Sequence, residues 1–168
     1  MIERILKEEE MPDDLKYLAL QESALIPDAV SSSNAVGFWQ FKKETAEDYG
    51  LTVNDKIDER KYIVSSTRAA SRYIKNSNFL FENWIFSIYS YYQGLSGAKA
   101  VTDPKLYGSK RMSIDKDTHW YIIKFLGYKV AFENYVDKKK YNDNYSIYYN
   151  KSFSSIRELS KNLSINRN

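Results

Sequence analysis

The stretch 15–41, LKYLALQESALIPDAVSSSNAVGFWQF, decides the fold and holds the main candidate for chemistry. Four of its residues fall at i, i+3, i+4 and i+7, the spacing of one helix face: Leu15, Leu18, Ala19 and Glu22. Three of these positions are apolar, which predicts a buried face, whereas the fourth is a carboxylate. Ser23, Pro27 and the serines after them predict a helix stop, so Glu22 is expected in the last helical turn.

A carboxylate at this position has unusual electrostatics. The helix macrodipole disfavours a negative charge near the C-terminus, and burial disfavours the charged form as well. Both effects predict a raised pKa for Glu22, in the direction that a general acid near neutral pH requires. The alternative is that Glu22 is a structural acid, paired or exposed, without a role in chemistry.

Composition limits the classes of function. The 168 residues suit one domain with a short extension, and the 43% hydrophobic fraction, with 15% aromatics, is ample for a core. No apolar run approaches the roughly 18 residues of a membrane helix. A net charge of +3 without a basic block argues against nucleic acid as the main partner.

Cysteine is absent and His119 is the only histidine, so thiol chemistry, disulfides and a Cys-ligated metal are excluded. A metal site or a serine–histidine triad would depend on that single histidine, and neither a metal nor another cofactor is expected. Residues 1–4 carry no apolar core of the kind that a signal peptide needs, so none is expected within this chain.

Helical periodicity without competing β-alternation before residue 140 predicts an all-α fold. Helices are expected at about 1–11, 13–23, 38–48, 61–76, 82–93 and 116–135, with a brief turn at 98–101. The helix at 38–48 should bury Phe38, Phe41, Thr45 and Tyr49 and end before Gly50. Residues 76–78 should break the helix that begins at 61. The domain is predicted at 1–136. Residues 137–168 read as a polar linker and tail, with a short strand at 145–149 and a helix at 153–162.

Four blocks carry a resemblance to a known family: 11–23 (MPDDLKYLALQES), 34–51 (NAVGFWQFKKETAEDYGL), 58–74 (DERKYIVSSTRAASRYI), and 90–94 (SYYQG) followed by 117–121 (DTHWY). The chain resembles the lytic transglycosylase (SLT), lysozyme-like domain of glycoside hydrolase family 23, of the membrane-bound lytic murein transglycosylase D type. The second block is the most specific. The resemblance implies an all-α, lysozyme-like (goose-type lysozyme/SLT) helical domain with a short C-terminal extension.

The resemblance also implies an activity. The family cleaves the bond between N-acetylmuramic acid and N-acetylglucosamine in peptidoglycan and leaves 1,6-anhydro-N-acetylmuramic acid ends. Glu22 matches the catalytic glutamate directly before a serine, and it would act as acid and then as base. The implied partner is the peptidoglycan glycan strand, and the implied location is the bacterial periplasm or cell envelope. The chain is expected to be a monomer, with the membrane reached only through an anchor outside it.

Five further residues are candidates for binding substrate: Ser23, Gly37, Gln40, Tyr91 and Tyr121. Each has a structural alternative. Ser23 can bond a sugar amide or the backbone, and Gln40 can bond a sugar or a loop. Gly37 suits a close backbone approach or a positive φ. Tyr91 and Tyr121 can serve the site or fill the core, while Phe38 and Trp39 are expected to pack.

The sequence departs from the family pattern at a few positions. Tyr92 stands where the family usually has asparagine, and His119 and Trp120 also differ. Residues 152–165 show a short similarity to the first helix of a LysM-type glycan-binding repeat. Two alternatives stay open. One is a hydrolase like the related goose-type lysozymes, which would activate water instead of the C6 hydroxyl, and the other is a non-catalytic peptidoglycan-binding protein that has degenerated through the replacement at Tyr92.

Overall fold

The computed structural model describes residues 1–133, and this part of the chain is all-α, as predicted. It contains α1 Ile2–Glu8, α2 Lys16–Ser23, α3 Lys43–Asp48, α4 Ile63–Phe81, α5 Trp84–Gln93, α6 Leu95–Val101 and α7 Trp120–Glu133. Short 3-10 helices occupy Asp13–Leu15, Glu59–Lys61 and Pro104–Leu106. Contacts between residues cluster into two compact units, the first Met1–Leu80 and the second from Phe81 onward.

The first unit has an apolar core supplied by its helices and by the loop between α2 and α3. Its fully buried side chains include Ile5, Leu6, Leu15, Leu18, Trp39 and Ile74. The predicted lead-in helix is confirmed as α1. Acids at its end pair with bases of α4, Glu8 with Arg68 at 3.1 Å and Glu9 with Lys75 at 3.7 Å. Such exposed pairs add little stability individually.

The prediction of a helix over 38–48 is wrong in its first half, because the helix begins only at Lys43. Gly37 and Gln40 have φ values of +84° and +50°, which no right-handed helix accommodates. The segment folds into a turn, closed where the Val36 N–H donates to the Phe41 carbonyl at 3.0 Å. The predicted stripe fails for the same reason: Trp39 and Phe41 are buried, whereas Phe38 is only half-buried.

The predicted break at 76–78 is also wrong, since α4 continues to Phe81. Ser77 lies inside this helix with its hydroxyl donating to the Tyr73 carbonyl one turn back, at 3.3 Å. Serine in a helix often bonds in this way, and the hydroxyl then has a partner while the helix continues. Ser66 and Ser71 do the same at buried positions of α4.

In the second unit, α5 begins where the sequence predicts, because Asn83 caps it. Its side-chain oxygen accepts from the N–H groups of Ile85 and Phe86 at 3.0 and 3.3 Å. The Asn83 amide nitrogen donates to the carbonyls of Leu106 and Ser109. One buried side chain thus starts the helix and holds the 106–109 loop.

The last helix begins later than the predicted residue 116. A local turn precedes it, in which Asp115 accepts from the Asp117 N–H and the Thr118 hydroxyl. The helix starts at Trp120, and the His119 Nδ1 accepts from the Tyr121 N–H at 3.2 Å. His119 therefore serves as the N-cap of α7, because its side chain accepts from a backbone N–H of the first helical turn.

The domain boundary predicted at 136/137, the strand at 145–149, the helix at 153–162 and the LysM-like similarity lie outside the described residues. Within residues 1–133, none of the helices combines the length and the apolar character that crossing a bilayer requires.

Candidate active site

Glu22 lies in the last turn of α2, as predicted, and is half-buried. The apolar residues that share its helix face are buried, with Leu15 at 1% and Leu18 and Ala19 at 0% exposure. The helix stops because Ala24 takes a left-handed φ of +52° while its N–H donates to the Leu20 carbonyl at 2.9 Å. The carboxylate consequently stands at the negative end of the helix dipole.

Other carboxylates close to Glu22 in sequence are open to solvent. Four of them are exposed: Asp28, Glu44, Glu47 and Asp48. Glu22 therefore differs from them in burial.

Ser23, which follows the glutamate, is buried and bonds to backbone. Its hydroxyl oxygen lies 2.9 Å from the carbonyl oxygen of Phe38 and 3.3 Å from that of Ala19. A hydroxyl has one proton to donate, and the shorter contact is the better acceptor. Ser23 thereby joins the end of α2 to the turn at 37–41.

Gly37 shows both features that the sequence analysis suggested for it, a positive φ and a close backbone approach. Its φ is +84°, and a β-carbon at this position would collide with the carbonyl oxygen of Arg60. The Gly37 N–H donates to the Ala29 carbonyl at 2.9 Å. No residue with a side chain fits here without moving backbone, so the turn depends on glycine.

Gln40 directs its amide nitrogen into the same loop. The Nε2 atom donates to the Ala29 carbonyl at 3.1 Å and to the Gly37 carbonyl at 3.0 Å. Both donors of the amide are thus engaged by backbone. The amide oxygen is the part of Gln40 suited to accept a hydrogen bond from a ligand.

Sequence reasoning missed an ion pair that supports this turn. The guanidinium of Arg60 binds Asp58 through two bonds, Nε to Oδ1 at 2.8 Å and Nη2 to Oδ2 at 2.7 Å. Its Nη1 also donates to the Phe41 carbonyl at 3.2 Å. Arg60 is only 8% exposed, and its guanidinium lowers the pKa of the Asp58 carboxyl. The sequence block 58–74 was the available signal, but Arg60 lies 19 residues from Phe41 in the chain.

The two tyrosine candidates belong to the second unit. Tyr91 is half-buried on α5, and Tyr121 is 3% exposed at the start of α7. Tyr121 stacks on Tyr92, the residue at the family's usual asparagine position, with ring centroids 4.8 Å apart and planes 27° apart. The structure thus gathers Ser23, Gly37 and Gln40 around one turn next to Glu22, and it brings Tyr121 to Tyr92.

Comparison with known proteins gives the family. The Transglycosylase SLT domain model matches residues 1–106, more than half of the chain. The chain belongs to the transglycosylase SLT domain family. The family match and the helical architecture confirm the all-α fold that the four sequence blocks implied.

Relatives agree with this assignment. The SLT chain is 30% identical over 135 residues to membrane-bound lytic murein transglycosylase D of Escherichia coli strain K12. The aligned part is 77% of this chain and 30% of that protein, and the protein of the same name from Escherichia coli O6:H1 strain CFT073 gives the same values. The chain therefore spans under a third of the length of these relatives.

Proposed function

We propose that this SLT domain is a peptidoglycan lytic transglycosylase in which Glu22 acts first as the acid and then as the base. The observation that carries the proposal is a half-buried carboxylate at a helix C-terminus, directly before a serine that joins the helix to the turn at 37–41. Membership of the SLT family and the murein transglycosylase relatives support it.

The reaction balances with a single carboxylic acid. Glu22 gives its proton to the oxygen between N-acetylmuramic acid and N-acetylglucosamine as the C1–O bond breaks. The muramoyl C6 hydroxyl then attacks C1, and the Glu22 carboxylate takes the hydroxyl proton. A 1,6-anhydro ring closes, the acid is regenerated and no water is consumed.

Ordinary glycoside hydrolysis uses two carboxylates about 5 to 9.5 Å apart. The exposed state of Asp28 and Glu44 makes them poor partners for Glu22. A nucleophile supplied by the substrate removes the need for a second carboxylate. The first step needs Glu22 in its protonated form, which the sequence analysis expects burial and the helix dipole to favour.

The remaining candidates position the substrate in this proposal. Gln40 offers its amide oxygen to a sugar hydroxyl or amide, since its nitrogen is held by the loop. Ser23 and Gly37 act by fixing the turn beside Glu22. Tyr91 and Tyr121 contribute hydroxyl groups to bind the glycan.

We place the activity on glycan strands in the periplasm or cell envelope, with the chain working as a monomer and without a cofactor. The relatives' name, which joins a membrane-bound state to murein, supports this location. Nucleic acid is not a partner in the proposal, in line with a net charge of only +3.

Digestion of purified sacculi tests the proposal, with mass spectrometry of the soluble products. We expect 1,6-anhydromuramoyl ends from the unaltered chain, and loss of turnover with retained sacculus binding in Glu22→Gln. Asp28→Asn, at an exposed carboxylate six residues on, is the matched control and should keep full activity. Reducing ends would indicate a hydrolase instead, and equal turnover by Glu22→Gln would remove the catalytic role of Glu22.

A further inference from the structure

Five aromatic side chains of the second unit form a connected cluster, named here the aromatic platform: Tyr89, Tyr92, His119, Trp120 and Tyr121. Tyr92 is at its centre, with ring centroids 4.8 Å from Tyr121, 5.2 Å from Trp120 and 5.3 Å from His119. Tyr89 joins through His119 at 4.8 Å. The platform is assembled from the end of α5 and the start of α7, two helices in contact.

Two rings of the platform remain open to solvent despite these contacts. Tyr92 is 46% exposed and Trp120 is 49% exposed, whereas Tyr121 beneath them is 3% exposed. Within residues 1–133, no hydrogen bond engages the Tyr92 hydroxyl or the Trp120 indole N–H. The platform therefore presents apolar ring faces together with unsatisfied polar edges.

The imidazole of His119 is fixed by the helix start. Its Nδ1 accepts from the Tyr121 N–H, so the neutral ring carries its proton on Nε2. Its ring contacts Tyr89, Tyr92 and Trp120. The platform thus combines packed rings with polar groups able to donate a hydrogen bond: the hydroxyls of Tyr89 and Tyr92, the Trp120 indole N–H and the His119 Nε2–H.

We propose that the open faces of Tyr92 and Trp120 form a stacking subsite for a sugar ring of the glycan strand. The proposal rests on the proposed function, since it takes peptidoglycan as the substrate. A β-1,4-linked N-acetylhexosamine has axial C–H groups on its faces and hydroxyl and amide groups around its rim. The aromatic faces match the axial C–H groups of the sugar, and the polar edges of the platform match its hydroxyl and amide groups.

Charge and position favour a sugar over other occupants. All five members of the platform are uncharged when His119 is neutral, so an ionic ligand finds no counter-charge among them. Tyr92 also stacks directly on Tyr121, which the sequence analysis predicted to bind substrate. The subsite would therefore extend a binding surface that the catalytic proposal already requires.

The platform brings together residues that are distant in the sequence. Tyr92 and the pair His119 and Trp120 lie 27 and 28 residues apart in the chain, yet their rings touch. A tyrosine at the end of α5 gains its ring partners only if aromatic residues stand at the start of α7. The three residues therefore form one structural unit of the platform.

Binding of N-acetylchitohexaose, which has no peptide stems, tests the subsite. The full chain is titrated with the oligosaccharide by calorimetry, and tryptophan fluorescence is followed in parallel. Stacking on an aromatic ring contributes about 0.5–1.5 kcal/mol, so Trp120→Ala and Tyr92→Asn should each raise the Kd about two- to tenfold. Trp120→Phe and Tyr92→Phe keep a ring and should recover most of the affinity. Phe79→Ala alters a 90% exposed aromatic outside the platform and should leave the Kd unchanged.

Sacculus digestion by the same preparations separates this proposal from the catalytic one. Unchanged affinity in Trp120→Ala, or no binding by the unaltered chain, overturns the subsite even where anhydro ends still form. An effect confined to peptide-bearing strands overturns it in favour of a stem-binding surface. Trp120-dependent binding without anhydro products leaves the subsite standing and removes the transglycosylase proposal.

Discussion

The backbone carbonyl of Arg60 occupies the space that a β-carbon on Gly37 would need. Gly50 offers a matched comparison, since its φ of +82° is nearly that of Gly37 but its nearest atom is the flexible Arg72 Nη2 at 3.6 Å. The two positions share a backbone conformation and differ in free space.

Gly37→Ala should consequently destabilise the chain far more than Gly50→Ala. The left-handed conformation costs about 1–2 kcal/mol for either alanine. Backbone displacement should add about 2 kcal/mol or more at Gly37 alone. Urea unfolding of both variants measures the difference, and equal free energies of unfolding would contradict the close approach.

Ser23→Ala should lower the free energy of unfolding by about 1–3 kcal/mol, because the Phe38 carbonyl loses its hydroxyl donor at a buried position. Ser32→Ala, at an exposed site in the loop that follows, should stay within about 0.5 kcal/mol. Turnover per folded molecule distinguishes the two roles of Ser23. A stability loss with normal turnover would leave Ser23 a positioning residue, and lost turnover at normal stability would argue for direct contact with the sugar.

Asp58 should make stability depend on pH in the acid range. Arg60 lowers the pKa of Asp58 below its ordinary 3.8, so the folded chain favours the carboxylate. The resulting stabilisation is present above pH 3.8 and is lost as the pH falls through the lowered pKa. Urea unfolding at pH 6 should show Asp58→Asn to be less stable than the unaltered chain, and the gap should narrow toward pH 3. Asp55→Asn, exposed in the preceding loop, is the control, and a gap independent of pH would contradict this assignment.

His119 should titrate below its ordinary value of 6.5, because burial disfavours the charged imidazolium. Protonation of Nδ1 would also end its acceptance of the Tyr121 N–H. The stabilisation is therefore complete above about pH 6.5 and is lost as the pH falls through the lowered pKa. His119 is the only histidine, so one set of imidazole NMR signals reports it directly. A value at or above 6.5 would contradict the prediction, and His119→Asn, which retains a capping oxygen, should abolish this pH dependence.

Local patterns explain what the sequence could predict. The position of Glu22 followed from a 3.6-residue stripe and nearby stop signals, and both act within a few residues. The turn at 37–41 could not be predicted in this way, because the left-handed φ of Gln40 is held by contacts to Ala29 and by the Val36–Phe41 bridge. These contacts stabilise the turn more than the helical propensity of residues 38–41 stabilises a helix.

The same distinction holds elsewhere in the chain. Helix α4 continues past 76–78 with the Ser77 hydroxyl bonded to the Tyr73 carbonyl, and composition does not reveal this hydrogen bond. The contact of Tyr92 with His119 joins two helices across 27 residues of chain. The sequence marked both residues as unusual, and only the fold shows that they are neighbours.

Arg60 holds the 37–41 turn with its side chain on the Phe41 carbonyl and with its own carbonyl against Gly37. A designer who wishes to graft the turn beside Glu22 onto another scaffold must therefore transfer two separate pieces of chain together. Without residues 58–60, the turn would lose the guanidinium that binds the Phe41 carbonyl and the backbone carbonyl that packs against Gly37. Because Arg60 contacts the turn in these two ways, substitutions at 58–60 can change the conformation of the 37–41 turn while its own residues stay the same. Directed evolution can use these remote residues for that purpose.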